Sequence, residues 1–146
     1  MRKNMTAMGL ATLLLAAHHA TAAEDNPLTP EQRMQARYPQ PVRVGDLIGL
    51  PLLDDNHRTL GYVREVVRTK SHKIELILDY GGFLGVFDWG ARLVAVPIEV
   101  VGIRGRELAS LDMPRREYAT APTWPADDAT VLPHDATIRV GLTRGY

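Results

Sequence analysis

Two carboxylates and an imidazole lie close together in the sequence, at Asp54, Asp55 and His57, and side chains of these types can bind a divalent metal ion. They occupy a short polar segment between two apolar ones. Aspartate and asparagine favour turns because their side chains bond the nearby backbone, and neighbouring side chains in such a turn point apart into solvent. We therefore interpret this segment as a hairpin turn and predict no metal site.

Other residues that could act in catalysis are scattered. His72 lies in a second lysine-rich turn and His134 lies in the loose C-terminal region. Ser71 and Ser110 have no neighbouring base in the sequence and do not belong to a nucleophile elbow. The chain has no cysteine, which excludes thiol chemistry and cysteine metal sites. Distant groups can still meet in a fold, but we predict that the protein is not an enzyme and has no cofactor.

Residues 80–85 read Tyr-Gly-Gly-Phe-Leu-Gly, and such glycines can expose backbone N–H groups to a phosphate. A phosphate-binding loop is followed by a Lys-Ser or Lys-Thr pair and a helix, whereas a strand pattern follows here. We interpret the run as a corner of a small β-barrel.

Three aromatic residues, Phe83, Phe87 and Trp89, lie within seven positions of one another in and after this run. Large rings on a loop can form an exposed anchor for a partner, because they give much contact area at little entropic cost. They can also cap one end of a barrel core. We favour the core for Phe83 and keep both interpretations for Phe87 and Trp89, which are the candidate partner contacts.

Short strand patterns separated by turn residues fill the middle of the chain, as is typical of an antiparallel barrel or sandwich. In residues 60–68 and 74–80 the side chains alternate, so that one face of each strand can be core and the other solvent. Residues 69–73 form the turn between them. The other predicted strands are 47–53, 92–96, 100–104 and 107–111.

The order of the short motifs resembles the PRC-barrel domain. These motifs are GDLIG at 45–49, LGYV at 60–63, the glycine run at 80–85, VAVP at 94–97 and MPRREY at 113–118. The last resembles a helix-starting segment that follows the barrel in exported bacterial members. The resemblance covers residues 42–122. It implies a small antiparallel β-barrel with a short C-terminal helix, in a module that serves mainly for interaction or scaffolding.

Two features depart from that family pattern. The family's first turn has a glycine near the position of His57, where this chain offers Asn56, a residue that tolerates the left-handed region well. We expect the turn to be kept. Residues 86–91 make a longer and more aromatic connection than usual, which leaves its geometry open.

The amino terminus predicts export. Arg2 and Lys3 precede an apolar stretch at 8–17, and residues 20–22 are small ones at the spacing that a signal peptidase accepts. The apolar stretch is shorter than the roughly 20 residues that span a bilayer. We therefore predict a signal peptide at 1–22, a periplasmic protein, and no membrane span after cleavage.

Charge and composition limit the possible partners. The chain has 17 Lys and Arg against 17 Asp and Glu, and cleavage would remove two of the basic residues. The slightly acidic remainder predicts no nucleic-acid binding. Without cysteine no disulfide can stabilise the fold, so a packed apolar core must do so.

Between the signal peptide and the barrel, residues 23–41 read as a linker with a short helix that Thr29 caps. Residues 123–146 read as a tail in which 136–142 form an edge strand or stay disordered. We predict a mainly β, noncatalytic periplasmic module that binds or scaffolds another envelope protein. The alternative is a small-molecule or cofactor binder that uses the barrel mouth, and an enzyme comes third. The oligomeric state is left open.

Overall fold

The structure is a computed structural model that describes residues 27–81, 92–124 and 129–143. These residues form three short helices and nine strands. The helices are α1 (Pro30–Gln35), α2 (Val44–Leu47) and α3 (Arg115–Tyr118). The strands are β1 (Gln40–Arg43), β2 (Pro51–Leu53), β3 (Thr59–Thr69), β4 (Ile74–Tyr80), β5 (Arg92–Pro97), β6 (Val101–Arg104), β7 (Glu107–Ser110), β8 (Ala129–Val131) and β9 (Thr137–Leu142). Within the described ranges, no helix has the length and apolar character that crossing a bilayer needs.

All nine strands belong to one sheet, which confirms a mainly β fold. Their order is β1-β9-β6-β7-β2-β3-β4-β5, and β8 pairs with β3. Most ladders are antiparallel, but β2 runs parallel to β7 and β6 runs parallel to β9. The purely antiparallel arrangement that we predicted is therefore wrong for these two pairs. A parallel pair joins strands that are distant in the chain, so no hairpin turn marks it in the sequence.

The hairpin of β3 and β4 is the longest ladder, and the predicted turn at 69–73 joins its strands. The backbone N–H of Thr69 donates to the carbonyl of Lys73 at 2.9 Å, and the N–H of His72 donates to the carbonyl of Thr69 at 2.9 Å. His72 has a φ of 63°, the left-handed conformation that the reversal of the chain requires.

The regular alternation predicted for β3 is wrong at Arg64. The pairing with β4 passes from Val63 directly to Glu65, so Arg64 is an extra residue in a β-bulge. Beyond the bulge the inward positions shift by one residue. As a result Val63 and Val66 both lie in the main core, although they are three positions apart.

Strand β4 is covered on both faces. Leu76 and Leu78 pack in the main core, as predicted, but Ile77 on the opposite face is also fully buried. It forms a second, smaller cluster with Val67 and Ala95, against which Trp124 and other partly buried residues pack. The alternation of residues in β4 does not predict that Ile77 is buried, because the residues that cover Ile77 come from distant parts of the chain.

The strand predicted at 47–53 is wrong over its first half. Leu47 is the last residue of the helical turn α2, residues 48–50 connect it to the sheet, and only Pro51–Leu53 form a strand, β2. Leu47 and Leu52 are fully buried, which explains the apolar character of the segment. Gly49 follows with a φ of 80°, and its N–H donates to the carbonyl of Val63 at 2.7 Å. This glycine reverses the chain so that β2 can pair with β3.

The flanking segments pack against the sheet. Thr29 and Gln32 form the capping box that begins α1, as predicted, and Met34 of α1 is buried in the main core. The strand predicted near 136–142 is confirmed as β9, but it is not at an edge. Strand β1 pairs with it on one side and β6 on the other.

Candidate functional site

Asp54 does not face solvent, contrary to our expectation for the first turn. Its side chain is 2% exposed and its Oδ1 accepts the backbone N–H groups of Asn56 and Arg58, at 2.9 and 2.8 Å. Its Oδ2 accepts from Arg58 Nε at 3.1 Å and from Arg115 Nη1 at 2.8 Å. Burial by itself would raise the pKa of this carboxyl, but these donors and the two positive charges outweigh it and lower the pKa to about 2. Asp54 is a structural anion that joins the turn to α3.

The left-handed residue of the same turn is His57, not Asn56. His57 has a φ of 59°, and its N–H donates to the carbonyl of Asp54 at 3.0 Å. Its Nε2 lies 3.2 Å from Arg104 Nη1. Because arginine has no acceptor, the histidine nitrogen accepts in this pair. His57 therefore supports Arg104 and does not converge with the aspartates on a metal ion.

Ser110 has a partner that the sequence did not indicate. Its hydroxyl donates to the carbonyl of Met113 at 2.6 Å and lies 2.6 Å from the hydroxyl of Tyr118. Tyr118 is fully buried and stacks on Tyr80 with ring centroids 6.2 Å apart. Burial raises the pKa of the Tyr118 hydroxyl to about 12, although the bond to Ser110 acts in the opposite direction. The bond joins Ser110 of β7 to Tyr118 of α3, so this pair holds α3 in place.

Among the described residues, no group of three His, Cys, Asp or Glu side chains is arranged to hold a metal ion. The predicted partner contacts Phe87 and Trp89, together with Phe83 and the glycines at 82 and 85, lie outside the described residues. The signal peptide predicted at 1–22 also lies outside them.

The described residues form a surface groove of about 470 Å³. It lies where the chain after α1 meets the ends of β6 and β9 and the segment that follows β7. Three of the large apolar side chains exposed on the described surface, Tyr38, Leu111 and Leu142, are together in it. We refer to this cavity as the groove, and its lining residues are Ala36, Arg37, Tyr38, Arg104, Ala109, Leu111, Leu142 and Thr143.

Tyr38 is the most exposed large apolar side chain of the groove, at 68%. Its φ is 51°, in the left-handed region that a bulky residue rarely adopts. Hydrogen bonds on both sides of Tyr38 fix this conformation. The carbonyl of Arg37 accepts the N–H of Leu142 at 2.8 Å, and Arg139 Nη2 donates to the carbonyl of Pro39 at 2.5 Å. An exposed aromatic ring on a constrained backbone is preorganised for contact.

Two glycines allow the walls of the groove to come together. Gly102 of β6 and Gly141 of β9 are paired in the parallel ladder. A Cβ on Gly102 would lie 2.7 Å from Leu111 Cδ1 and from Thr143 Cγ2, and a Cβ on Gly141 would lie 3.2 Å from the Cβ of Arg37. The absence of side chains at these positions lets the segments from α1 and β7 pack closely over the sheet.

Both arginines that line the groove are held by acidic neighbours. Arg37 Nη2 lies 2.6 Å from Asp112 Oδ2, and Arg104 donates to Glu107 Oε1 from Nε at 2.8 Å and from Nη2 at 2.6 Å. These pairs fix the side chains at the rim. The groove therefore combines an apolar floor with oriented, largely neutralised polar groups, a composition typical of a protein-binding patch.

Residues 41–108 match the family model of the PRC-barrel domain. The chain contains a PRC-barrel domain. No curated protein matches the chain. The matched segment runs from β1 to β7. Of the residues that line the groove, only Arg104 lies within that segment.

The groove thus lies where segments on both sides of the PRC-barrel domain return to it. Tyr38 precedes the domain, whereas Leu111 and Leu142 follow it. The sequence interpretation missed these residues because it placed Tyr38 in a linker and Leu142 in a tail. One signal was present: Tyr38 is a large aromatic residue immediately before a proline in a polar segment, with no apolar pattern to bury it.

Proposed function

We propose that the protein is a noncatalytic binding or scaffolding module of the cell envelope, and that it binds another envelope protein at the groove. The observation that carries this proposal is the clustering of Tyr38, Leu111 and Leu142 as exposed side chains in one cavity. Exposed apolar residues that cluster mark interaction surfaces, whereas isolated ones need no explanation.

The proposal includes export by the signal peptide at 1–22, a periplasmic location, and a barrel-like closure of the domain followed by a short helical segment. Phe87 and Trp89 remain candidate partner contacts. The family resemblance and the amino-terminal pattern support these points. Mass spectrometry of the protein from fractionated cells tests export, because a mature chain that begins at Ala23 in the periplasmic fraction is expected.

Site-specific photo-crosslinking in intact cells tests the binding surface. A photoreactive residue at Tyr38 is expected to capture a discrete partner. The matched control is the same residue at Tyr62, which is exposed on β3 and does not line the groove. Equal capture at both positions, or capture at neither, would contradict a partner at the groove.

A second candidate function is small-molecule binding, which we first placed at the barrel mouth. The volume of the groove, about 470 Å³, favours this alternative because it lies in the range of small-molecule sites. Thermal shifts across a panel of metabolites distinguish the two functions. A ligand that binds the folded state stabilises it by an amount that rises with the logarithm of its concentration above Kd, and no such compound is expected if the groove binds a protein.

A further inference from the structure

A second cavity, of about 310 Å³, lies where β3 ends and the turn to β4 begins. We refer to it as the basic pocket. It shares no lining residue with the groove, and its lining residues are Arg68, Thr69, Lys70, His72, Thr130 and Leu132. Three of these six side chains are basic, two carry a hydroxyl and one is apolar.

The sheet register brings these residues together from two distant segments. Arg68 pairs with Thr130 of β8, and the N–H of Leu132 donates to the carbonyl of Val66 at 2.8 Å. Because Val66 and Arg68 share a face of β3, Arg68 stands at the end of the main core. Leu132, which is buried in that core, forms the floor of the basic pocket.

The turn that carries the remaining basic residues has a fixed shape. Thr69 Oγ1 accepts the N–H of Lys73 at 3.1 Å and lies 2.9 Å from Ser71 Oγ, while His72 holds the left-handed conformation. Lys70 and His72 therefore project from a constrained backbone. A ligand that binds there need not order the turn, which reduces the entropic cost of binding.

The positive charge of the basic pocket is not neutralised within the described residues. Arg68 and Lys70 form no ion pair there, whereas the neighbouring Lys73 pairs with Glu31 at 3.5 Å. Glu75 lies opposite Val67, and because adjacent residues of a strand face opposite sides, it points away from Arg68. The whole chain has equal numbers of basic and acidic residues, so this local excess does not come from a basic composition.

We propose that the basic pocket binds a phosphate group. The guanidinium of Arg68 can donate two parallel hydrogen bonds to its oxygens, Lys70 supplies a compact charge, and the hydroxyl of Thr130 supplies a further donor. The same chemistry serves a free phosphate compound and the headgroup of an anionic phospholipid. This site is independent of the groove and of the protein partner proposed for it.

Titration of the ¹⁵N-labelled protein with inorganic phosphate, in chloride buffer at physiological salt, tests the site. Saturable amide shifts are expected at Thr69, Lys70, His72 and Thr130. The double variant Arg68→Gln and Lys70→Gln is expected to weaken binding at least about tenfold. Arg106→Gln, an exposed arginine outside the basic pocket, is the matched control and should leave binding unchanged.

Co-sedimentation with phosphatidylglycerol or phosphatidylcholine vesicles distinguishes the two sources of phosphate. Saturable shifts with inorganic phosphate support a soluble ligand, and binding to phosphatidylglycerol vesicles that the double variant loses supports a lipid headgroup. The proposal is wrong if neither probe binds, or if Arg106→Gln weakens binding as much as the double variant. Circular dichroism of each variant verifies that it is folded.

Discussion

Arg115 Nη1 lies 2.8 Å from Asp54 Oδ2, although the two residues are 61 positions apart in the sequence. The pair joins the first turn of the PRC-barrel domain to α3, which lies beyond the segment that the family model matches. The Asp54 side chain is 2% exposed, whereas that of Arg115 is 41% exposed. The carboxylate is thus the buried partner, and the stability of this junction depends on it.

We expect Asp54→Asn to lower the melting temperature by several degrees. The amide keeps the size of the side chain, but its NH₂ group cannot accept from Arg58 and Arg115, and the negative charge is lost. Differential scanning calorimetry measures the change. Asp55→Asn is the matched control, because the Asp55 side chain is exposed and, among the described residues, accepts a hydrogen bond from the side-chain amide of the adjacent Asn56 alone. An equal loss in both variants would contradict the role of the buried pair.

Stability should fall as the pH is lowered from about 4 to about 2. The pKa of Asp54 is about 2 in the folded protein, below its ordinary value of 3.8, so the unfolded chain binds the proton more tightly. The stabilisation is complete above the ordinary pKa and is lost as the pH falls through the folded one. The free energy of unfolding, measured with urea at several pH values in this range, should change less steeply with pH in Asp54→Asn than in the wild type. In Asp55→Asn this pH dependence should match that of the wild type.

Gly61→Ala is expected to destabilise the protein far more than Gly102→Ala. A Cβ on Gly61 would lie 2.9 Å from the carbonyl carbon of Asp79, which is backbone of the paired strand and cannot move alone. A Cβ on Gly102 would meet the ends of the Leu111 and Thr143 side chains, which can shift. We expect a loss on the order of 3 kcal/mol at Gly61 and about 1 kcal/mol at Gly102, as for overpacking. Urea unfolding measures both, and a larger loss at Gly102 would contradict this account.

Trp89→Ala is expected to abolish capture of the partner and leave the melting temperature unchanged. If Trp89 is a partner contact, as we propose, its ring contributes to binding and not to folding. Affinity capture from periplasmic extract, together with thermal unfolding, measures both quantities. Trp124→Ala is the control for a packed ring, since Trp124 contacts the second core cluster and should lower the melting temperature. A drop of similar size for Trp89→Ala would place that ring in a core.

Patterns within a few residues were sufficient to predict several elements. Thr29 and Gln32 are three positions apart, and their mutual capping depends only on that spacing. The turn at 69–73 follows from polar residues between two alternating strands, and its hydrogen bonds are all local. The order of the glycine and proline motifs was sufficient to predict the family, because each motif marks a place where the chain must bend or strands must end.

Contacts between distant residues could not be predicted in this way. The burial of Asp54 depends on Arg115, and the burial of Ile77 on residues near Trp124. The bulge at Arg64 is defined by the register in which β3 pairs with β4, which the alternation of either strand does not encode. The prediction for the first turn was wrong in a related way, since His57 rather than Asn56 adopts the left-handed conformation and places its ring beside Arg104.

The sequence by itself determined the turns at 54–57 and 69–73, which family the chain resembles and that a core without disulfides must hold it together. These properties depend on the conformational preferences of neighbouring residues and on composition. Only the tertiary structure decided that Tyr38, Leu111 and Leu142 share a groove and that Arg68 meets Thr130. Such sites form through strand pairs and packing between segments far apart in the chain, and no local preference specifies which segments meet.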